Sequence, residues 1–166
     1  MDTTIVLMAK DTGDKQFLNV WNCENADELL TELIGYFGSI ENINPEVIDF
    51  ADFPENILKW ENEDEFERMT HNLVDYLKAV NDIPDYQEDA FKAYFEEKGG
   101  VPTELVKEFS NKFSGEFQDV YDFGVDMAES GGLNLQGFES FFDFEGFGQS
   151  CANDYIVLKD IYYFRG

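Results

Sequence analysis

Apolar runs at residues 4–9 and 17–21 flank the polar stretch Asp11-Thr12-Gly13-Asp14-Lys15 and predict two strands around a turn. The spacing then changes to that of a helix. Leu29, Leu30, Leu33, Ile34 and Phe37 line one face, Asn25 and Glu28 stand at capping-box positions ahead of them, and Gly38 follows as a stop. Residues 47–50 predict a third short strand, closed by Pro54. From Asn62 the texture is helical. Asn62 with Glu65 opens a helix reaching about Val80, and Asp85 with Glu88 opens another reaching Lys98, with Pro84 between them. Gly99-Gly100-Val101-Pro102 ends that pair and marks a boundary. Thr103 caps a further helix through Phe109 and Phe113, which Ser114-Gly115 breaks. An acidic helix then runs from Glu116 to Ser130, stopped by Gly131-Gly132. Near the end, Tyr155 to Leu158 and Ile161 to Phe164 flank Lys159-Asp160 as a two-residue hairpin. The expected fold is α+β and elongated, with three small domains in a row. They are an α+β domain at 1–60, a helical domain at 61–102, and an α+β domain at 103–166 that carries the acidic helix and the terminal hairpin.

The acidic helix is the stretch around which the rest is organised. Between Lys112 and Lys159 lie 46 residues with no Lys, Arg or His and nine Asp or Glu. Glu116, Asp119, Asp122, Asp126 and Glu129 recur every three or four residues, the period of one helix face. Phe117, Val120, Gly124 and Met127 fall roughly opposite. Such a helix buries one side and shows a ladder of carboxylates, about 5 Å apart, on the other. Surface helices gain a few tenths of a kcal/mol from each i,i+4 acid–base pair, and this one forgoes them all.

Composition extends the point to the whole chain. Against 36 acids stand 11 bases, a net charge of −25 over 166 residues, while 17 Phe and 8 Tyr are ample for packed cores. Divided at 60/61 and 103/104, the thirds carry −9, −8 and −8, so the acidity is not a tail. Charge of this size opposes compaction. Solubility or a halophilic source would account for it blandly, although 16% aromatics sits oddly with the latter. It argues against direct binding to nucleic acid or to an anionic membrane, and it favours a basic partner. Cys23 and Cys151 lie far apart, the opening Met1-Asp2 does not read as a signal peptide, and no apolar run approaches 18 residues. Reduced thiols in a cytoplasm are the expectation.

Catalytic signals are thin. Asp11-Thr12-Gly13 spells the aspartic-protease triplet, but Lys10, Asp14 and Lys15 surround it, as in an exposed turn. His71, the single histidine, has no Ser or Cys at a telling spacing. No Cys/His cluster suits zinc, no EF-hand loop suits calcium, and Gly146-Phe147-Gly148 lacks the third glycine of a phosphate loop. The expectation is a protein that is not an enzyme and takes no cofactor or metal.

The acidic ladder has a direct physical reading. Duplex DNA presents one negative charge per roughly 1.7 Å of axis. Carboxylates ordered at comparable density suit a site built for phosphates. A net charge of −25 corresponds to about 12 base pairs. The alternative is a solvated face, which is usually mixed in sign.

Ser114-Gly-Glu-Phe-Gln-Asp-Val-Tyr-Asp-Phe-Gly124 resembles the G-E-Y/F-x-S/D-x-x-D-F-A segment of the ArdA antirestriction proteins. Phe142-Asp-Phe-Glu-Gly-Phe-Gly148 and the closing Ile161-Tyr-Tyr-Phe-Arg165 resemble that family's I-D-Y-E-A-F-A and V-F-R ending. Val47-Ile-Asp-Phe50 with Phe53-Pro54, and Trp21 ahead of the first helix, match more loosely. Gly148-Gln149-Ser150 stands where the family has A-R-D. The resemblance implies a slender, curved homodimer joined through its C-terminal domain. It would occupy the DNA groove of a type I restriction–modification methyltransferase/specificity complex in the bacterial host cytoplasm. The expected contact residues are Glu116, Asp119, Asp122, Asp126 and Glu129, then Asp143, Glu145, Asp49 and Asp52. The aromatic run Phe138, Phe141, Phe142, Phe144 and Phe147 exceeds what one small domain readily buries and supplies the candidate dimer interface. An anti-CRISPR inhibitor blocking a different DNA-binding effector, or an acidic chaperone for a basic protein, are the alternatives.

Overall fold

The computed structural model describes residues 2–46, 49 and 52–166. It combines helices with two small antiparallel sheets, an α+β architecture, and falls into two compact units, Met1–Lys107 and Glu108–Gly166.

In the first unit β1 (Thr4–Met8) pairs antiparallel with β2 (Lys15–Asn19), Thr4 opposite Asn19 and Met8 opposite Lys15. Ile5, Val6 and Leu7 are all buried, so both faces of β1 are covered, whereas only Leu18 of β2 is. The Asp11-Thr12-Gly13 turn is exposed as expected, and its glycine takes a φ of 73°. The second strand lies two residues earlier than the expected 17–21. The Asn19 side chain accepts the Trp21 N–H at 3.0 Å and starts a turn of 3-10 helix, Val20–Asn22. Val47, Ile48 and Phe50 of the expected third strand lie outside the described residues, while Asp49 bridges Val6, its carbonyl accepting the Val6 N–H at 2.8 Å.

Helix α1 (Ala26–Phe37) starts where Asn25 accepts the Glu28 N–H at 2.9 Å, and Gly38 closes it with a φ of 77°. The Glu28 carboxylate reaches one residue beyond the usual capping-box partner and accepts the Glu24 N–H. Leu29, Leu33 and Phe37 are buried while Ile34 is 39% exposed, so the buried stripe is narrower than the sequence suggests.

Helix α2 (Glu63–Asn81) repeats the device with Asn62 and Glu65. The expected joint at 60/61 falls inside a packed core: Trp60 is buried edge-on against Phe66 at 5.1 Å. Tyr76 of α2 meets Phe53, together with Phe91 and Phe95 of α3 (Glu88–Lys98). The residues of the first two expected domains therefore share one compact unit. Asp85 does not cap α3. A 3-10 turn, Asp85–Gln87, leads straight into the helix, and Gln87 at its start is already helical.

Helix α4 (Pro102–Lys112) begins with proline in its first turn, two residues earlier than a Thr103 cap would allow. Phe113 leaves the helix for β3 (Phe113–Glu116). In the second unit β3 flanks β5 (Tyr162–Arg165), whose other neighbour is β4 (Tyr155–Leu158), giving the order β3-β5-β4. Lys159 and Asp160 turn β4 into β5 with φ of 49° and 63°. Leu158 pairs with Tyr162, so Ile161 belongs to the loop rather than to the strand. Tyr162, Tyr163 and Phe164 of the central strand are all buried.

Against this sheet lies α5 (Val120–Ser130), with the Phe123 ring stacked 4.2 Å from Tyr163 and Phe117 edge-on to both. Helix α6 (Phe144–Ala152) occupies a stretch that reads in sequence only as aromatic and acidic, and it crosses α5 at Gly124 and Gly148. A Cβ on Gly124 would lie 2.0 Å from the Phe144 carbonyl oxygen, and one on Gly148 would lie 2.1 Å from that of Val120. Gly35 on α1 has nothing within 4 Å. The Gly124→Ala variant should therefore lose roughly 2–3 kcal/mol by forcing two backbones apart. Gly35→Ala should gain about 0.5–1 kcal/mol from helix propensity alone. Denaturant midpoints of the two variants check this, and equal midpoints would refute the close crossing.

Candidate functional site

The acidic face is built differently from the five-rung helical ladder expected. Glu116 is not helical: it lies in β3 opposite Tyr162, and the Phe117 N–H donates to the Ile161 carbonyl at 2.9 Å. That sheet pairing holds the chain extended, and the helix starts only where Asp119 accepts the Asp122 N–H at 2.9 Å as its N-cap. Three rungs remain on α5. Asp122 is half-buried, Asp126 and Glu129 are exposed, and the three fall within about 60° of the helix circumference. The buried side of the helix is Phe123, Gly124 and Ala128. Phe117 precedes the helix, and Val120 and Met127 are only half-buried, so of the four residues expected on that side Gly124 alone belongs to the sealed face.

Glu116 and Asp119 remain exposed beside this face in sequence, and each has a local task, strand pairing for one and capping for the other. Asp143 likewise caps α6, accepting the Gly146 N–H at 2.9 Å, and Glu145 stands exposed in its first turn. Asp49 and Asp52 belong to the first unit and are exposed, Asp52 accepting the Asp2 N–H. The second unit thus holds seven of the nine expected carboxylates, within or just ahead of β3, α5 and α6. Lys78 pairs with Asp75 at 3.6 Å and Lys112 with Glu108 at 3.3 Å, and neither acid is among the nine.

The aromatic run divides. Phe144 is 9% exposed and belongs to the core, edge-on to Tyr121 and Phe142. It is therefore not free to form an interface. Phe142 and Phe147 are half-buried against each other, while Phe138 and Phe141 are 67% and 84% exposed. Leu133 also faces solvent, in the loop that follows α5. Between that loop and the helix end lies a hollow of about 370 Å³, bordered by Glu129, Leu133, Glu139 and Phe144. Leu133 and Glu139 are not legible as site residues in the sequence. An apolar residue beside two glycines and an acid beside a phenylalanine are too common to single them out.

Among the described residues no group of three or more His, Cys, Asp or Glu side chains is placed to hold a metal ion. His71 is exposed on α2. The buried Cys23 thiol is pushed up to about 11, by burial first and then by its hydrogen bond to the Glu32 carboxylate, so it stays protonated and unreactive. Burial, with Asp119 and Asp160 nearby, raises the Tyr163 phenol above its ordinary range. No described helix is long and apolar enough to cross a membrane. No protein-family model matches the chain, and no curated protein matches it.

Proposed function

We propose that this protein is a non-enzymatic inhibitor that occupies the DNA-binding site of a bacterial defence enzyme. The family resemblance implies a type I restriction–modification complex in the host cytoplasm as the target. One observation carries the reading. Glu116, Asp119, Asp126, Glu129, Asp143 and Glu145 are all exposed within a stretch of 46 residues that contains no base. Carboxylates without counter-charges in their own segment leave their field directed at solvent. The surface that completes them is one built to hold phosphates.

Competition is the direct test. The protein should displace duplex DNA from its target with mutually exclusive binding. Its affinity should fall by roughly three orders of magnitude between about 50 and 200 mM salt, as for a protein that meets several phosphates. A stable ternary complex of target, DNA and this protein would end the mimicry reading. Displacement from a CRISPR effector but not from a restriction–modification complex would move the target.

The helix face has its own test. Asp122, Asp126 and Glu129 lie off the sealed side of α5, and the Asp119 cap can be left in place. Each exposed charge is worth about 1 kcal/mol or less. Reversing all three to Lys should weaken inhibition by roughly 100-fold or more, whereas Asp126→Asn alone should change it less than about fivefold. Full inhibition by a folded triple variant would place the contact surface elsewhere.

The homodimer belongs to the same reading, and the exposed Phe138 and Phe141 support it. Sedimentation velocity at micromolar concentration should show a dimer that Phe138→Ser with Phe141→Ser converts to monomer. A monomeric native protein would remove the assembly.

A further inference from the structure

Strand β2 has an outer edge that pairs with no other described strand. Its register against β1 is unbroken, from Thr4 opposite Asn19 to Met8 opposite Lys15. The ladder continues past both ends, where the Val20 N–H donates to the Thr3 carbonyl at 3.0 Å and the Ala9 N–H to the Asp14 carbonyl at 2.9 Å. Antiparallel pairs alternate between exchanging their N–H and C=O groups and turning both away. By that alternation Gln16 and Leu18 bond to β1, while Lys15, Phe17 and Asn19 turn their main-chain groups outward. The facing residues of β1 obey the same rule. The Val6 N–H donates to the Asp49 carbonyl and the Met8 carbonyl accepts the Asn44 N–H, both at 2.8 Å on the side away from β2. The outward main-chain groups of Lys15 and Phe17 meet no partner among the described residues. Sheet edges are normally blunted by proline, a bulge or an inward-pointing charge. Strand β2 has no proline and no bulge, its one charge stands at its end, and Phe17 at its centre is 70% exposed.

We propose that this edge pairs with the same edge of a second copy, the two β2 strands running antiparallel about a two-fold axis at Phe17. Self-complementarity and charge together select that occupant. Outward main-chain groups at Phe17 and two residues to either side are the pattern that such an axis needs. The two Phe17 residues exchange N–H and C=O groups, and each Asn19 N–H meets the Lys15 carbonyl of the other copy. Phe17 then lies beside Phe17 and Lys15 beside Asn19, so an aromatic pair forms and no like charges are set opposite. Residues 3–23 hold Lys10 and Lys15 against Asp11 and Asp14, a net charge of zero, so the whole −25 of the chain lies outside them. A second acidic copy meets little repulsion here, and a basic partner finds no net charge to answer its own. Two five-residue strands bury less than the roughly 1,000 Å² of a stable interface, so the pairing is weak and needs concentrated protein. It is separate from the Phe138 and Phe141 contact, which belongs to the other unit, and it does not rest on the inhibitor reading.

The test is amide hydrogen exchange by NMR on the full chain carrying Phe138→Ser and Phe141→Ser, which takes the other contact out of the measurement. From about 20 µM to about 1 mM protein, exchange at Phe17 and Asn19 should slow by roughly twofold or more, because association sequesters those N–H groups. Gln16 and Leu18, already bonded to β1, should not change. Raising the salt from about 50 to about 500 mM should deepen the slowing, since it screens the repulsion between two acidic chains. Phe17→Pro removes an N–H that points away from β1 and so takes no bond from the ladder. It should abolish the slowing at Asn19. Phe17→Ser keeps every main-chain group and loses only the ring pair; it should weaken the association severalfold, and it decides the matter if Phe17→Pro unfolds. Exchange at Phe17 that is independent of protein concentration overturns the proposal. So does slowing that both variants leave unchanged, or slowing that fades as salt rises. Slowing that appears only when a ten-residue polylysine is added gives the edge to a basic partner and overturns self-pairing. No target enzyme is present in the measurement, so its outcome and that of DNA displacement are independent.

Discussion

Backbone contact between α5 and α6 is the constraint on which the second unit depends. At Gly124 and Gly148 the two helices approach so closely that neither position has room for a methyl group. That contact fixes which side of α5 faces inward, since Phe123 and Ala128 flank Gly124 on the same face. With the inward side sealed by α6 and by the Tyr163 ring, Asp126 and Glu129 have only solvent to face. The placement of the carboxylates is thus a consequence of packing on the opposite side of the helix. It does not require any attraction among the acids, which repel one another.

The same logic reconciles a net charge of −25 with a folded chain. Exposed like charges oppose compaction but are screened over about 8 Å at physiological salt. The opposing contribution is short-range and aromatic. Tyr76 with its three phenylalanines, the Phe109–Phe113–Phe164 cluster, and Phe123 on Tyr163 each add about 0.5–1.5 kcal/mol per ring pair beyond the area they bury. Acid side chains also serve the fold where they cap helices. Asp119 and Asp143 place negative charge at helix N-termini, where the backbone dipole favours it. Two of the nine carboxylates read as contact residues therefore have a structural reason to be acidic.

Which parts of this are legible in the sequence follows from the range of the interactions. Asn25 before α1, Asn62 before α2, Gly38 after α1 and the Lys159-Asp160 turn act within a few residues, and each stands where its local pattern puts it. Strand β3 is hidden because its pairing of Phe113 with Phe164 spans about fifty residues, and nothing local to Phe113-Ser114-Gly115-Glu116 marks it. Helix α6 is hidden for a related reason. Gly146 and Gly148 read as loop residues, yet Gly148 is needed where α5 crosses, a requirement visible only with both helices in place. The carboxylate spacing at 122, 126 and 129 is legible as one face, but periodicity cannot show that Glu116 belongs to a strand.

The acidic face acts at long range on the proposed reading, and that range decides what its single substitutions change. An array of exposed carboxylates with no counter-ions in its own segment projects a field that steers a basic partner toward the protein and raises the rate of encounter without fixing its register. Orientation needs contacts that only one group at one position can satisfy. Asp126 and Glu129 stand on an open helix face and accept cations in many arrangements. Neutralising single surface acids should therefore act through association and its salt dependence. A charge array of this kind attracts any basic surface.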